Sequence, residues 1–254
     1  MATDASGAPT IEPMKQFIVK PLFGGEGDIG VLTITNATLW MAISVIAVSA
    51  LLILGTRGRA LVPSRAQSVA ELLYGFVRQT VQDVAGDEGI KYFPHIFTLF
   101  TFILFCNVLG MVPGSFTATS HIAVTGVMAL AVFVTVTAIG FAKHGTHFLS
   151  FFWPKEAPVW LRPILMVIEL ISYLVRPITH SVRLGANMLA GHAVMKVFAG
   201  LFAMVLSGGL GVLAVLPLAG MVGLTALEFL VAVVQAYVFM ILTCVYLNDA
   251  LHLH

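Results

Sequence analysis

Nine charged, histidine or carboxamide side chains lie within the two long apolar stretches in the second half of the chain. They are Glu169, Arg176, His180, Arg183, Asn187, His192 and Lys196 in the first stretch, and Glu228 and Gln235 in the second. A charged side chain at the centre of a bilayer costs about 2.5 to 3.5 kcal/mol on insertion scales. Such groups are retained where they face water, one another or a partner protein, so their concentration here predicts a functional site.

The spacing of these residues indicates which of them share a helix face. Glu169, Arg176 and Arg183 recur every seven residues, and seven residues of an α-helix return a side chain to within about 20° of its starting direction. Asn187 follows Arg183 by one turn and points about 40° away, whereas His192 is rotated by about 180°. We therefore expect Arg183 and Asn187 to share surroundings that His192 does not.

Some of these residues also have ordinary structural explanations. Ser172, Asn187 or Gln235 taken alone can be a hydrogen-bond partner inside a helix bundle, and Lys196 can extend its ammonium group to the membrane surface. An arginine flanked by apolar residues in the middle of a span has few such explanations. This favours a functional role for Arg183.

The spacing of the residues does not fit a haem site, a metal site or a catalytic site of a known sequence pattern. His180 and His192 on one helix suggest haem ligands, but the second stretch, with Glu228 and Gln235, has no histidine to face them. The chain lacks paired cysteines and the HExxH, P-loop and GxSxG patterns. We therefore expect no metal, no cofactor and no catalytic breaking of a covalent bond by this chain alone.

The composition is that of an integral membrane protein. The chain has 254 residues, of which 59% are hydrophobic and only 10% are charged, outside the range of soluble domains of this length. Its net charge is +1 and its few cations are scattered, so nucleic acid is not an expected partner.

Hydropathy predicts an all-α fold with five membrane spans and one amphipathic helix on the membrane interface. The spans are expected at about 36–56, 92–112, 122–142, 163–206 and 210–247, the interfacial helix at about 67–86, and an extramembrane tail at 1–35. The last two apolar segments contain Pro177 and Pro217, which are expected to break them, and the turn "SGGLG" joins the two. Each is about 60 Å long as a helix against about 30 Å of hydrocarbon, so the pair must form a strongly tilted or bent hairpin.

The distribution of basic residues predicts the orientation. Arg57, Arg59 and Arg65 follow the first span, and Lys91 and Lys143 mark the ends of the second and third spans, whose connecting turn "PGSFTATSH" has no lysine or arginine. The positive-inside rule then places the N-terminus on the outer side and the C-terminus in the cytoplasm.

Four segments of the sequence resemble subunit a of the rotary F-type ATP synthases. They are "RLGANMLAGH", "VVQAYVFMILTCVYL", "IELISYLVRPITHSVRL" and "FTFILFCNVLGMVP". The order of His192 before Glu228 resembles the alphaproteobacterial and mitochondrial form. The resemblance implies a proton-translocating stator in the bacterial inner membrane. Its partners would be the rotating ring of c subunits, each with one buried carboxylate, the b subunits of the peripheral stalk, and the rest of the complex.

The resemblance also implies roles for the polar residues. Arg183 matches the essential cation that meets each ring carboxylate, and arginine suits this role because it stays charged when desolvated. Glu169, with Ser172, matches the access path on the cytoplasmic side. His192 and Glu228 match a pair in the outer half-channel.

Four further positions complete the implied site. Asn187 and Gln235 fall closer to the essential cation, and Arg176 and His180 are possible accessories. Gly110 departs from the pattern, because some bacterial relatives have an acidic residue there. No role of that carboxylate transfers to this chain.

Two other functions remain open at the sequence level. A self-contained proton-coupled transporter or ion channel would use Glu169, Arg183 and Glu228 as a substrate site, although the chain shows no internal repeat of the kind common in such transporters. An inert membrane anchor would not depend on Arg183 at all.

Overall fold

A computed structural model describes residues 17–22, 33–57, 64–112, 114–153, 158, 160–209 and 211–252. Within these ranges the chain forms α-helices joined by turns and short 3₁₀ helices, with one isolated β-bridge between Pro21 and Thr35. The helices are α1 (Asn36–Arg57), α2 (Arg65–Gly89), α3 (Phe93–Gly110), α4 (Ile122–His144), α5 (Arg162–Ser207) and α6 (Val215–Leu251). Most of the predicted extramembrane tail lies outside the described residues.

Five helical stretches in the described part of the chain are long and apolar enough to cross a membrane. They are α1, α2 together with α3, a stretch from α4 to Leu149, α5 and α6. The predicted all-α membrane fold is therefore confirmed. The predicted position of α2 on the membrane interface stays a prediction.

The predicted breaks at the two prolines are wrong. Helix α5 runs through Pro177 without interruption, because neighbouring helices can stabilise a membrane helix that loses one backbone hydrogen bond. Pro217 lies in the first turn of α6, where a missing N–H costs nothing. Accordingly α6 begins at Val215, later than the predicted 210, and the connecting turn is longer than "SGGLG".

Helix α6 also extends past its predicted end at 247. Its last carbonyl, that of Leu251, accepts a hydrogen bond from Lys143 Nζ at 3.1 Å and lies 3.2 Å from His144 Nε2. Cations at a helix C-terminus donate hydrogen bonds to its free carbonyls and interact favourably with the negative end of the helix dipole. With 46 residues in α5 and 37 in α6, the helices are about 69 and 55 Å long, well beyond one perpendicular crossing.

Helix α6 is the centre of the bundle, since α2, α3, α4 and α5 all pack against it. Its buried face includes Ala236, Met240 and Cys244, which belong to the same hydrophobic core as Val77 of α2 and Ile103 of α3. The apolar side chains of α2 are divided between the core and the surface. Val77 packs in the core, while Val69, Leu72 and Phe76 are exposed.

A buried amide fixes α3 against α6. Asn107 Nδ2 donates to the carbonyl of Ala232 at 2.9 Å, and Thr119 Oγ1 donates to Asn107 Oδ1 at 2.7 Å. Asn107 and Thr119 are fully buried, so both polar groups depend on this network. Ala232 lies one turn after Glu228, and the amide therefore sets the height of Glu228 relative to α3.

Small residues let α5 approach α4 closely. Ser181 Oγ lies 3.1 Å from Thr125 Oγ1, and a Cβ added at Gly185 would lie 3.1 Å from the same Thr125 oxygen. Leu184 and Met188 complete this buried face of α5. The packing turns the opposite face of α5 away from the bundle.

Gly140 and Gly126 of α4 give a matched test of this packing. A Cβ at Gly140 would overlap the ring of Phe148, which is 2% exposed, whereas a Cβ at Gly126 would meet only Ser181 Oγ at 3.5 Å. We expect Gly140→Ala to destabilise the purified chain by about 1 to 3 kcal/mol through overpacking, seen as a lower thermal unfolding midpoint in detergent. Gly126→Ala should stay near wild type, and equal midpoints for both variants would contradict the described packing.

Candidate functional site

Arg183 lies on the face of α5 that points away from the bundle. Its side chain is exposed, as are its neighbours Ala186 and Asn187. No acidic side chain within the described ranges forms an ion pair with it. An arginine in a membrane span normally pairs with a partner, and within the described ranges Arg183 has no such counter-charge.

His192 and Glu228 form a buried pair between α5 and α6. Each is 5% exposed, and His192 Nδ1 lies 3.2 Å from Glu228 Oε1. Neither carboxylate oxygen of Glu228 has a hydrogen-bond partner among the residues that the structure describes. As the helical spacing predicted, His192 faces different surroundings from Arg183.

The close approach of Glu228 to α5 requires a glycine. A Cβ added at Gly191 would lie 2.8 Å from Glu228 Oε1 and 3.0 Å from Glu228 Cδ. Any larger residue at this position would therefore displace the carboxylate from its place beside His192.

Two cavities lie on either side of this pair. The Thr117 cavity, about 430 Å³, is lined by Phe17, Gly110, Thr117, His192 and Lys196 among others. The Asn187 cavity, about 370 Å³, is lined by Asn187, Gly191, Glu228 and Gln235 together with apolar residues. His192 thus borders one cavity and Glu228 the other, and a proton passing between the cavities by way of these side chains would cross the His192–Glu228 contact.

Thr117 is a site residue that the sequence did not single out. Its Oγ1 lies 2.8 Å from His192 Nε2, and it belongs to the turn between α3 and α4. A short run of polar residues, "TATS", was the only signal in the sequence. Four residues after Thr117, burial lowers the pKa of His121.

Arg176 lies at the other end of the bundle, near the C-terminus of α6. Its Nη1 is 3.0 Å from Asp249 Oδ2, and its guanidinium carbon is 4.9 Å from the centre of the Tyr246 ring and 5.4 Å from that of Tyr173. Arg176 therefore has a carboxylate partner within the chain, which distinguishes it from Arg183.

Three other residues that the sequence predicted for the site, Glu169, Ser172 and His180, do not contact the His192–Glu228 pair. Glu169 is half-buried and Ser172 is exposed, both on α5 toward its N-terminus. His180 is 3% exposed, with its ring centre 3.7 Å from that of Phe239, and its Nε2 has no hydrogen-bond partner in the described part of the chain. No cluster of three or more histidine, cysteine, aspartate or glutamate side chains suited to a metal occurs in the same ranges.

Residues 38–248 match the family model described as ATP synthase A chain. The chain belongs to this family. It is 61% identical to ATP synthase subunit a of Dinoroseobacter shibae over the whole of both chains, and 57% identical to that of Paracoccus denitrificans over 99% of each. It is 49% identical to the subunit a of Rhodospirillum rubrum over 95% of this chain and 99% of that one.

Membership in the ATP synthase subunit a family establishes the broad function. The chain is a multi-pass subunit of the membrane sector of an F-type ATP synthase, and the rest of that complex are its partners. The family implies ion transport.

Gly191 offers a test of the pair's geometry in the assembled ATP synthase. We expect Gly191→Ala to reduce ATP-driven proton transport in inverted membrane vesicles by about tenfold or more, because a displacement near 1 Å can cost up to about 10²-fold. Gly223→Ala on α6 is the control, since a Cβ there would meet nothing within 4 Å. Normal transport in the Gly191 variant would show that the position of Glu228 beside α5 is not required.

Proposed function

We propose that this chain is the stator that supplies two offset half-channels to the ring of c subunits and couples proton flow to ring rotation and ATP synthesis. The observation that supports this most strongly is Arg183, an exposed cation on an apolar helix face with no acidic partner among the described residues. Each passing ring subunit would offer it one buried carboxylate.

Arg183 would act by electrostatics alone. A fixed cation within about 4 to 6 Å lowers the pKa of an approaching carboxyl group, so the ring site releases its proton there. The same cation repels a proton that would pass directly between the two half-channels. Transport then requires the ring to turn, and arginine suits the position because it does not lose its charge on desolvation.

The outer half-channel would run through both cavities. Protons would enter the Thr117 cavity, exchange across the contact between His192 and Glu228, and reach the Asn187 cavity. From there Asn187 and Gln235 lead toward the ring. A histidine and a buried carboxyl group suit this exchange because both can change protonation near neutral pH.

The inner half-channel would approach Arg183 from the other end of α5. Glu169 is fourteen residues before Arg183 in the sequence, so both lie on nearly the same face of the helix. Ser172 is beside Glu169 on that exposed surface. Arg176 and His180 lie between Glu169 and Arg183 along α5 and would be accessory positions on this path.

The basic residues support one orientation of the subunit. With Arg57, Lys91 and Lys143 on the cytoplasmic side of the bacterial inner membrane, the N-terminus is periplasmic and the C-terminus cytoplasmic. The peripheral-stalk b subunits would hold the stator against the ring. One charge crossing 100 mV gains about 2.3 kcal/mol, so rotation must sum several protons for each ATP.

Replacement of Arg183 tests the proposal. We expect Arg183→Ala to abolish ATP-driven proton transport in inverted vesicles while the complex still assembles, because ring carboxylates would lose their counter-charge. Arg78→Ala, which removes an exposed cation from α2, is the matched control and should pump normally.

Two outcomes would contradict the proposal. Normal pumping by the Arg183 variant would refute the assignment and favour an inert anchor. Proton transport by the purified chain alone, reconstituted in vesicles without the ring, would instead support a self-contained channel.

A further inference from the structure

Among the described residues, Thr117 is the side chain that joins the His192–Glu228 pair to the turn between α3 and α4 by a hydrogen bond. Its Oγ1 lies 2.8 Å from His192 Nε2 and 3.1 Å from the carbonyl oxygen of Gly110. Thr117 and His192 are each 5% exposed. Buried polar atoms at these distances are constrained to complementary hydrogen-bonding roles.

The number of hydrogens on these groups limits which atom donates and which accepts in each hydrogen bond. A threonine hydroxyl has one hydrogen to donate and lone pairs to accept. The carbonyl of Gly110 can only accept, and as the last residue of α3 it has no partner further along its own helix. If Thr117 donates to this carbonyl, its hydroxyl faces His192 with a lone pair, and His192 Nε2 bears a hydrogen. In the opposite arrangement Thr117 donates to Nε2, and the Gly110 carbonyl keeps Ser115 Oγ as its donor.

We propose that Thr117 is a positioning residue that holds neutral His192 as its Nε2–H tautomer and thereby leaves the Nδ1 lone pair free, 3.2 Å from Glu228 Oε1. This inference rests on the proposed role of the pair in proton exchange. The orientation of a histidine by the partner of its second ring nitrogen is a general feature of functional imidazoles.

The tautomer decides how the pair shares its proton. When Glu228 is protonated, its hydroxyl faces a free Nδ1 lone pair. When the proton moves across, it leaves the carboxyl oxygen and bonds to Nδ1, giving a carboxylate beside an imidazolium. The pair has no net charge in either arrangement, so the transfer moves a proton through a buried site without leaving an isolated charge there.

The surroundings fix the Thr117 hydroxyl in place. Gly110 makes room for it, because a Cβ at that position would lie 2.8 Å from Thr117 Oγ1 and 2.8 Å from its Cγ2. Ser120 Oγ donates to the Thr117 carbonyl at 2.7 Å, and Ser115 Oγ donates to the Gly110 carbonyl at 2.8 Å. The absence of a side chain at Gly110 is thus linked to the presence of the hydroxyl at Thr117.

The tautomer can be observed directly. In the assembled complex labelled with nitrogen-15 histidine, the difference between the solid-state NMR spectra of wild type and His192→Gln isolates the two ring nitrogens of His192. At a pH where the ring is neutral, we expect Nε2 protonated and Nδ1 unprotonated. Thr117→Val should give a mixture of tautomers and Thr117→Ser the wild-type pattern. A protonated Nδ1 in the neutral wild-type ring would overturn the inference.

Transport supplies the second measurement. We expect Thr117→Val to lower ATP-driven proton transport by about tenfold or more, since a catalytic histidine in the wrong tautomer loses up to about 10⁴-fold, and Thr117→Ser to restore most of it. Thr101→Val is the control, because that buried hydroxyl donates to Phe97 O of its own helix at 2.7 Å.

The variants separate the two ideas. Loss of transport in His192→Gln with full transport in Thr117→Val would refute the role of Thr117 and leave the proposed half-channel intact. Full transport in His192→Gln would refute the half-channel itself.

Discussion

The proposed function of this subunit depends on an arginine that has no counter-charge among the residues that the structure describes. Arg183 is exposed on an apolar helix, and no acidic group in the described ranges pairs with it. Arg176, seven residues earlier on the same helix, has Asp249 as its partner. Since an isolated charge in a bilayer is costly, we propose that another subunit brings a carboxylate to Arg183.

The bundle holds this surface in place through close packing and a few buried hydrogen bonds. Ser181 and Gly185 bring α5 against α4 and turn Arg183 outward, while Asn107 fixes α6 next to Glu228. The pair of His192 and Glu228 then lies between two cavities. The same backbone geometry therefore sets both the exposed cation and the buried pair of His192 and Glu228.

The sequence predicted the helix bundle and the placement of Arg183 and His192 on different faces of one helix. Hydropathy and the 3.6-residue period made this possible because both depend only on residues close together in the sequence. It failed at Pro177, where neighbouring helices let α5 continue, and at the end of α6, where the Leu251 carbonyl meets Lys143 from a distant helix. Thr117 was missed for the same reason. Its hydroxyl gains a role only from a histidine 75 residues away, which no local pattern shows.

If the counter-charge of Arg183 is the ring carboxylate, the helix face that bears Arg183 must contact the ring, and disulfide formation across that interface measures the contact. Ala186 is exposed one turn from Arg183, whereas Met188 is buried, and the native Cys106 and Cys244 are buried as well. With a cysteine introduced beside the ring carboxylate, the account predicts that Ala186→Cys forms an oxidative cross-link to the ring and Met188→Cys does not. No cross-link from position 186, or an equal yield from 188, would contradict it.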